Sequence, residues 1–422
     1  MENRPDINFF GFLGLETGLG EAARNNIQAL RTVGYQVKEY DVTVFNPDLK
    51  IKKTGINIFQ VNPDNLYECL LKYKPDVMDG DYNIAFWAWE TEEYPDQYVK
   101  YFGYFNEIWT PSSYCQNVIS KKSPIPVLSM PHAVPLEAPL VRVEDLRAKV
   151  IADRKNSFVF AFFFDYKSQI TRKNVLGLID SFRIAFGENN EDVSLLLKTY
   201  PSEYHQEERE TIIEKIGSDS SIILFEEKLE RTDLQHLISE IDCYVSLHHS
   251  EGFGLTMAEA MGLGKPVIAT AYSGNMEYMN VNNALLVKYS MTYLTEPVGP
   301  FLAGSIWAEP DLNHAAQLMK NVALKKKSFD KLTGLAKEEM LKKYNMHCVG
   351  ESMHDRINII SKIISFQNKE TVKDIISHLQ LENDLMNLKL SKIKDIGYIK
   401  LKLKFKNIKN ALLGRNKKYL WE

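Results

Sequence analysis

The chain is poor in cysteine: four thiols, Cys69, Cys115, Cys243 and Cys348, in 422 residues. They stand far apart, with neither the paired spacing of a metal site nor the density of a disulfide framework, and read as reduced core thiols. Long hydrophobic runs are missing too, and none approaches the ~18 residues that a membrane span needs. The opening Met-Glu-Asn-Arg-Pro-Asp lacks the basic and apolar regions of a secretory signal, so a cytoplasmic protein is expected. Neither sign of charge is in excess: 51 Lys and Arg face 55 Asp and Glu, for a net charge of −4. Nothing overall points to nucleic acid as a partner. The pair Asp79 and Asp81 precedes a strand amid turn residues, where Asp and Gly are favoured for backbone reasons. No metal and no cofactor are therefore expected.

What remains is an ordinary globular composition, 45% apolar and 25% charged, long enough for two to three domains. Strand and helix patterns alternate. Ile7 to Phe12 reads as a strand, Glu21 to Val33 as a helix and Tyr35 to Val42 as a second strand. Short strands follow at Asn83 to Trp87, Glu107 to Thr110 and Pro126 to Ser129. Val141 to Asn156 is charged and reads as a linker helix. A second series begins with Ser157 to Phe164, apolar enough to be buried on both faces. Ser194 to Thr199, Ser221 to Phe225, Ile241 to Leu247 and Pro266 to Ala271 continue it. This alternation predicts an α/β protein whose parallel sheets are covered by helices.

The stretch Ser250-Glu-Gly-Phe-Gly-Leu-Thr-Met-Ala-Glu-Ala-Met-Gly-Leu-Gly-Lys-Pro-Val267 is the most telling. A strand, a glycine turn and a helix start make an anion site, because free backbone N–H groups and the positive end of the helix dipole face one point. Glu251 and Glu259 stand eight residues apart around that turn and suit a ligand rich in hydroxyls. Phosphate with polyol suggests a nucleotide sugar. A second reading of the same residues is structural: Thr256 and Glu259 have the spacing of a capping box, and Glu251 fits a solvated loop.

The stretch resembles the Glu-x7-Glu signature of retaining glycosyltransferases of the GT-B fold, in particular glycosyltransferase family 4. The likeness continues through Ile268-Ala-Thr-Ala-Tyr-Ser-Gly-Asn275 and more weakly through Trp307-Ala-Glu-Pro-Asp311. It implies two tandem Rossmann-like domains, 1–150 on the acceptor side and 151–345 for the nucleotide-sugar donor, facing a central cleft. A helix over 346–368 would cross back to the first domain, and 369–422 would form a basic amphipathic tail. It also implies that Glu251 lies by the donor sugar, that Glu259 holds the ribose, and that the Phe253, Gly254 and Leu255 amides meet the diphosphate.

Family members carry a Gly-Arg after the first strand of the second domain and a Lys five or six residues on. Lys173 matches that Lys. The Gly-Arg position reads Phe164-Asp165 instead, and Arg172 is the candidate to replace the guanidinium. Two cations at a helix start oppose its dipole, which favours an anion there. In the first domain the resemblance places Gly18 and Gly20 behind the donor phosphates. A histidine frequent in relatives after a first-domain strand is replaced here by Phe86-Trp-Ala-Trp-Glu90. Trp87 and Trp89 are candidates to stack on sugars and Glu90 to hold an acceptor hydroxyl, with ordinary core packing as the other reading of the tryptophans. His132, His248 and His249 are not expected to act as a base.

The implied reaction moves a sugar from a nucleotide-diphosphate donor to a glycan or lipid-linked acceptor in polysaccharide biosynthesis. It retains configuration, needs no metal, and lets the leaving phosphate help deprotonate the acceptor. Lys389 to Lys418 holds eleven basic residues against one acid, Asp395. It reads either as an anchor on an anionic membrane surface, placing the protein on the inner face, or as a solvated or partly disordered extension. Two other functions stay open on sequence. Gly18-x-Gly20-x-x-Ala23, with Glu39 or Asp41 downstream, fits the fingerprint of an NAD-dependent dehydrogenase. A nucleotide-sugar binding protein or epimerase would use the same carboxylates without transfer.

Overall fold

The computed structural model describes residues 4–44, 55–73, 75–78, 80–136, 146–151, 154, 156–200, 204–324 and 329–394. Asp79, half of the expected linker 141–156, and the tail from 395 on, with its alternation over 399–406, lie outside the described residues. Residues up to Ile357 form one compact unit and those from Asn358 a second. The boundary expected at 150 thus separates two halves of a single unit.

The first half holds six strands: β1 (Ile7–Gly11), β2 (Val37–Asp41), β3 (Ile56–Gln60), β4 (Tyr82–Phe86), β5 (Glu107–Thr110) and β6 (Val127–Ser129). They lie in the order β2-β1-β3-β4-β5-β6, all parallel. The second half holds β7 (Phe158–Phe163), β8 (Val193–Lys198), β9 (Ile222–Phe225), β10 (Cys243–Ser246), β11 (Val267–Thr270) and β12 (Leu285–Val287). Their order is β12-β11-β10-β7-β8-β9, again all parallel. Helices between the strands cover the sheets, and the central strands β1, β3, β4, β5, β7, β8 and β10 are buried along their whole length. All six residues of β7 are buried, as its unbroken run of Phe, Val and Ala requires.

In each sheet the connections reverse direction once, between β1 and β3 in the first and between β7 and β10 in the second. Loops leaving neighbouring strands at such a point diverge and leave a crevice beyond the strand C-termini. The two crevices belong to one compact unit and line one cleft of about 960 Å³.

One central strand, β3, has no counterpart in the sequence reading. Asn57 and Gln60 interrupt its apolar run, yet both are buried. Asn57 stands in register with Asn8 of β1 and Asn83 of β4. Asn8 Nδ2 donates to Asn57 Oδ1, and Asn57 Nδ2 donates to Asn83 Oδ1, each at 2.8 Å. Amides satisfied in this way are tolerated in a core, and the ladder pins the register of three strands.

A second unanticipated element is the antiparallel hairpin of β13 (Tyr289–Tyr293) and β14 (Ile306–Pro310). Leu294, Phe301 and Trp307 from this segment join the aromatic core of the first half around Trp87, Trp89 and Tyr94. The last helix runs from Met346 to Lys394. Its opening turns lie on the first half, where Arg356 Nε donates to Glu107 Oε1 at 3.1 Å and His354 meets the Tyr35 hydroxyl at 3.0 Å. Among the described residues no helix is long and apolar enough to cross a membrane, and no group of three metal-ligating side chains occurs.

Candidate active site

The glycine turn after β10 builds one wall of the cleft. Gly254 has φ +83°, a left-handed conformation that side chains resist, and it caps the helix Leu255–Gly262. Tyr278 Oη donates to the carbonyls of Phe253 (2.9 Å) and Gly254 (2.7 Å), and Ser273 Oγ accepts from the Glu251 amide (2.8 Å). Gly274 N–H donates to the Glu251 carbonyl at 2.8 Å. Thus Ser273 and Gly274, within the stretch 268–275, brace the turn. The helix start itself, through Gly254, Leu255 and Thr256, lines the cleft. No capping box forms. Thr256 Oγ1 instead accepts from Tyr244 Oη at 2.8 Å, and Glu259 turns to a different partner.

Glu251, Arg172 and Lys173 meet at the switch point of the second sheet. The Glu251 carboxylate pairs with Lys173 Nζ and, at 3.3 Å, with Arg172 Nη1. Arg172 Nη1 also donates to the Ser250 carbonyl at 2.7 Å. Burial works against the charge of Glu251, but Lys173 and Arg172 outweigh it and hold the carboxyl down at about 2. Burial draws the Lys173 ammonium down, while Glu251 pulls it back. Two cations share one carboxylate here, beside a helix N-terminus, so the group retains positive charge for an anion.

Glu259 is fully buried and pairs with Arg231, the first residue of the helix Arg231–Glu240 after β9. Arg231 Nη1 lies 3.4 Å from Glu259 Oε2, and its Nε lies 2.9 Å from Glu21 Oε1 of the first half. Glu21 accepts a second cation, Arg24, at 2.8 Å. The chain Arg24–Glu21–Arg231–Glu259 therefore ties the two halves together across the cleft, and Lys228–Glu16 adds an exposed pair at 2.6 Å. Burial drives the Glu259 carboxyl up and Arg231 pulls it back.

From the first half, Gly18 and Glu90 line the cleft. The Glu90 carbonyl accepts from Ser250 Oγ, so the residue is pressed against the loop after β10. Burial pushes its carboxyl up, Arg172 draws it down, and Glu251 and Asp64 push it further up.

Gly20 does not line the cleft. It is buried beneath its own loop, and a side chain there would strike the Leu15 and Phe12 carbonyls. Its lack of a side chain serves that loop, and the helix Gly18–Thr32 is capped by Thr17. Six residues separate the end of β1 at Gly11 from Gly18, so the tight glycine turn of a dinucleotide site is not formed. Trp87 is enclosed by Tyr94, Phe102 and Phe105 and cannot stack on a ligand. Trp89 reaches the cleft wall, but Tyr94, Tyr98 and Phe301 pack around its ring and its Nε1 donates to Thr91 and Glu93. His248 is held neutral by burial, its pKa drawn down to about 4, between Ser246 and Asn275. His132 lines the cleft and burial draws it down to about 3. His249 stacks on Trp307.

Arg231 and Lys198 were not anticipated. Arg231 stands 28 positions from its carboxylate, a pairing with no local signature. Lys198 leaves only a faint trace, a lysine closing a strand that runs through three leucines.

Residues 154–298 match the family model described as glycosyl transferases group 1, and this stretch holds Arg172, Lys173, Glu251 and Glu259. Over 132 residues the chain is 28% identical to the lipopolysaccharide glucosyltransferase WaaG of Escherichia coli K12, a match spanning 30% of this chain and 34% of that protein. The fold is that of GT-B proteins. Sucrose-phosphate synthase of Thermosynechococcus elongatus superposes with a TM-score of 0.63 at 13% identity, covering 85% of this chain and all of that one. Anabaena HepE, solved with UDP and glucose, superposes with a TM-score of 0.60 at 12% identity, covering 84% and 99%.

Proposed function

We propose that the protein is a retaining hexosyltransferase of the family 4 type, moving a sugar from a nucleotide-diphosphate sugar to a glycan or lipid-linked acceptor. The observation that carries this reading is the group of Arg172, Lys173 and Glu251 beside the Gly254 helix start, in a cleft that also holds Glu259. The group 1 match and the likeness to HepE, whose structure contains UDP and glucose, support it.

In this reading the donor diphosphate lies against Lys173, Arg172 and the Gly254 and Leu255 amides, with Gly18 opposite. Glu259 holds the ribose hydroxyls and Glu251 the sugar. The C–O bond to the diphosphate breaks through an oxocarbenium-like state. Cations and amides fixed in advance stabilise the charge that grows on the leaving phosphate. Glu90, with its raised carboxyl, orients an acceptor hydroxyl on the same face. The leaving phosphate takes the proton, so no side-chain nucleophile and no metal take part. The basic segment 389–418 meets an anionic membrane surface on the cytoplasmic side, where a lipid-linked acceptor is found.

Thermal unfolding with UDP, GDP, CDP, ADP and NAD, each with sugar conjugates where they exist, is the test. A nucleoside diphosphate at a hundred times its dissociation constant adds about 2.7 kcal/mol to stability. One nucleoside diphosphate should stabilise the protein, its sugar conjugate should be consumed with release of the free diphosphate, and Lys173→Ala should depress turnover. Stabilisation by NAD alone, or full turnover in Lys173→Ala, would sink the reading. An isomerised sugar nucleotide as product would mean epimerisation.

A further inference from the structure

Lys198 closes β8 and lines the cleft, yet it is only 2% exposed. Its Nζ donates to the Thr199 carbonyl at 2.6 Å and lies 4.1 Å from the centre of the Tyr200 ring. Among the described residues no carboxylate stands within ion-pair distance of it. The other buried cations of the cleft are answered: Arg172 and Lys173 by Glu251, Arg231 by Glu259 and Glu21. A buried ammonium with one acceptor is costly, and a lysine has three protons to give. Such a group is retained where something outside the chain completes it. Burial draws its pKa down to about 8, with Glu16, Glu227 and Glu226 opposing, so the ammonium keeps its charge at neutral pH.

Its place in the sheet says what part of a ligand it meets. Neighbouring strands lie ~4.8 Å apart. The phosphate-binding cations and the glycine turn follow β7 and β10, whereas Lys198 ends β8, one strand further out. Arg231, the partner of Glu259, follows β9 beyond it, and Tyr200 lies within range of the Arg231 charge. A nucleoside diphosphate with phosphates at Lys173 and ribose at Glu259 carries its base to Lys198 and Tyr200.

We infer that Lys198 selects the nucleobase by donating from Nζ to an exocyclic carbonyl oxygen, admitting uracil, guanine or cytosine and rejecting adenine. An ammonium is a donor only. Adenine has an exocyclic amine, itself a donor, and no exocyclic carbonyl, whereas uracil, guanine and cytosine each carry at least one. A buried group built to hydrogen-bond a ligand discriminates strongly against an analogue that leaves it unpaired. The inference rests on the nucleotide-sugar reading above.

Calorimetric titration of the full chain with UDP, GDP, CDP and ADP tests both levels. The parent protein should bind one of the carbonyl-bearing nucleotides at least tenfold more tightly than ADP. Lys198→Met, similar in length and apolar, should weaken that nucleotide at least tenfold and change ADP less than twofold. Equal weakening of all four would make Lys198 a phosphate contact and overturn the inference, as would no change in any. Tightest binding of ADP by the parent overturns it without any variant. If the parent binds none of the four, the nucleotide-sugar reading fails and this inference fails with it.

Discussion

Glu251 keeps its charge only through its neighbours. Its carboxyl titrates at about 2 against an ordinary 4.5, because Lys173 and Arg172 overcome the effect of burial. The folded protein therefore holds this proton more weakly than the unfolded chain does. The contribution to stability is present above pH ~4.5 and is lost as pH falls toward 2. Glu251→Gln leaves two buried cations without a counter-charge, a change that costs roughly 3–5 kcal/mol at neutral pH. Urea denaturation should show that gap at pH 7 and a narrower one at pH 2.5. An equal gap at both values would mean that the carboxylate is not the stabilising partner. Spacing and resemblance marked Glu251, Glu259 and Lys173, because their neighbours in the chain carry the pattern. Arg231 escaped because its partner is brought close only by the packing of two helices. For Trp87 the sequence left sugar stacking and core packing both open, because a residue just past a strand end does not reveal which face it occupies, and its burial favours packing.

At the scale of elements, the cleft wall after β10 depends on one backbone conformation. Gly254 is left-handed, and both carbonyls at the turn are tied to Tyr278. Gly254→Ala should cost roughly 1–2 kcal/mol from the left-handed backbone alone. It should also weaken nucleoside diphosphates of every base alike, since in the proposed reading the amides serve phosphate. Unchanged binding in titration would show that the turn tolerates a side chain and that phosphate lies elsewhere. Among the strands that were legible, β7 and β10 stand out for their apolar runs, and the alternation with helices followed from them. β3 was not, since the burial of Asn57 becomes sensible only once Asn8 and Asn83 lie on either side. The hairpin of β13 and β14 was hidden for a related reason. Its apolar residues pack on the first half, so no periodicity within the segment reports their burial.

Across the whole molecule, charge is unevenly distributed along the chain. The net charge is −4, yet the segment 389–418 is strongly basic, so the remainder carries the compensating acidic excess. A chain polarised in this way is drawn to anionic surfaces by one end only. Sedimentation with vesicles of anionic phospholipid should carry the full chain down at low salt and release it near 0.5 M, where screening shortens to a few ångströms. Replacing Lys400, Lys402, Lys404 and Lys406 by Gln should abolish co-sedimentation, and retention by that variant would remove the tail from the account.

Arg231, set between Glu21 and Glu259, has a consequence for any affinity measured on this protein. If Glu259 holds the ribose, as proposed, it is already paired with Arg231 when the ribose arrives, and the arginine is a resident competitor carried by the chain itself. In that reading each donor's observed affinity is its intrinsic one less the work of turning Arg231 aside. That deduction is the same for every nucleotide sugar. Ratios between donors therefore report recognition faithfully, while their absolute values are all weaker by one common factor.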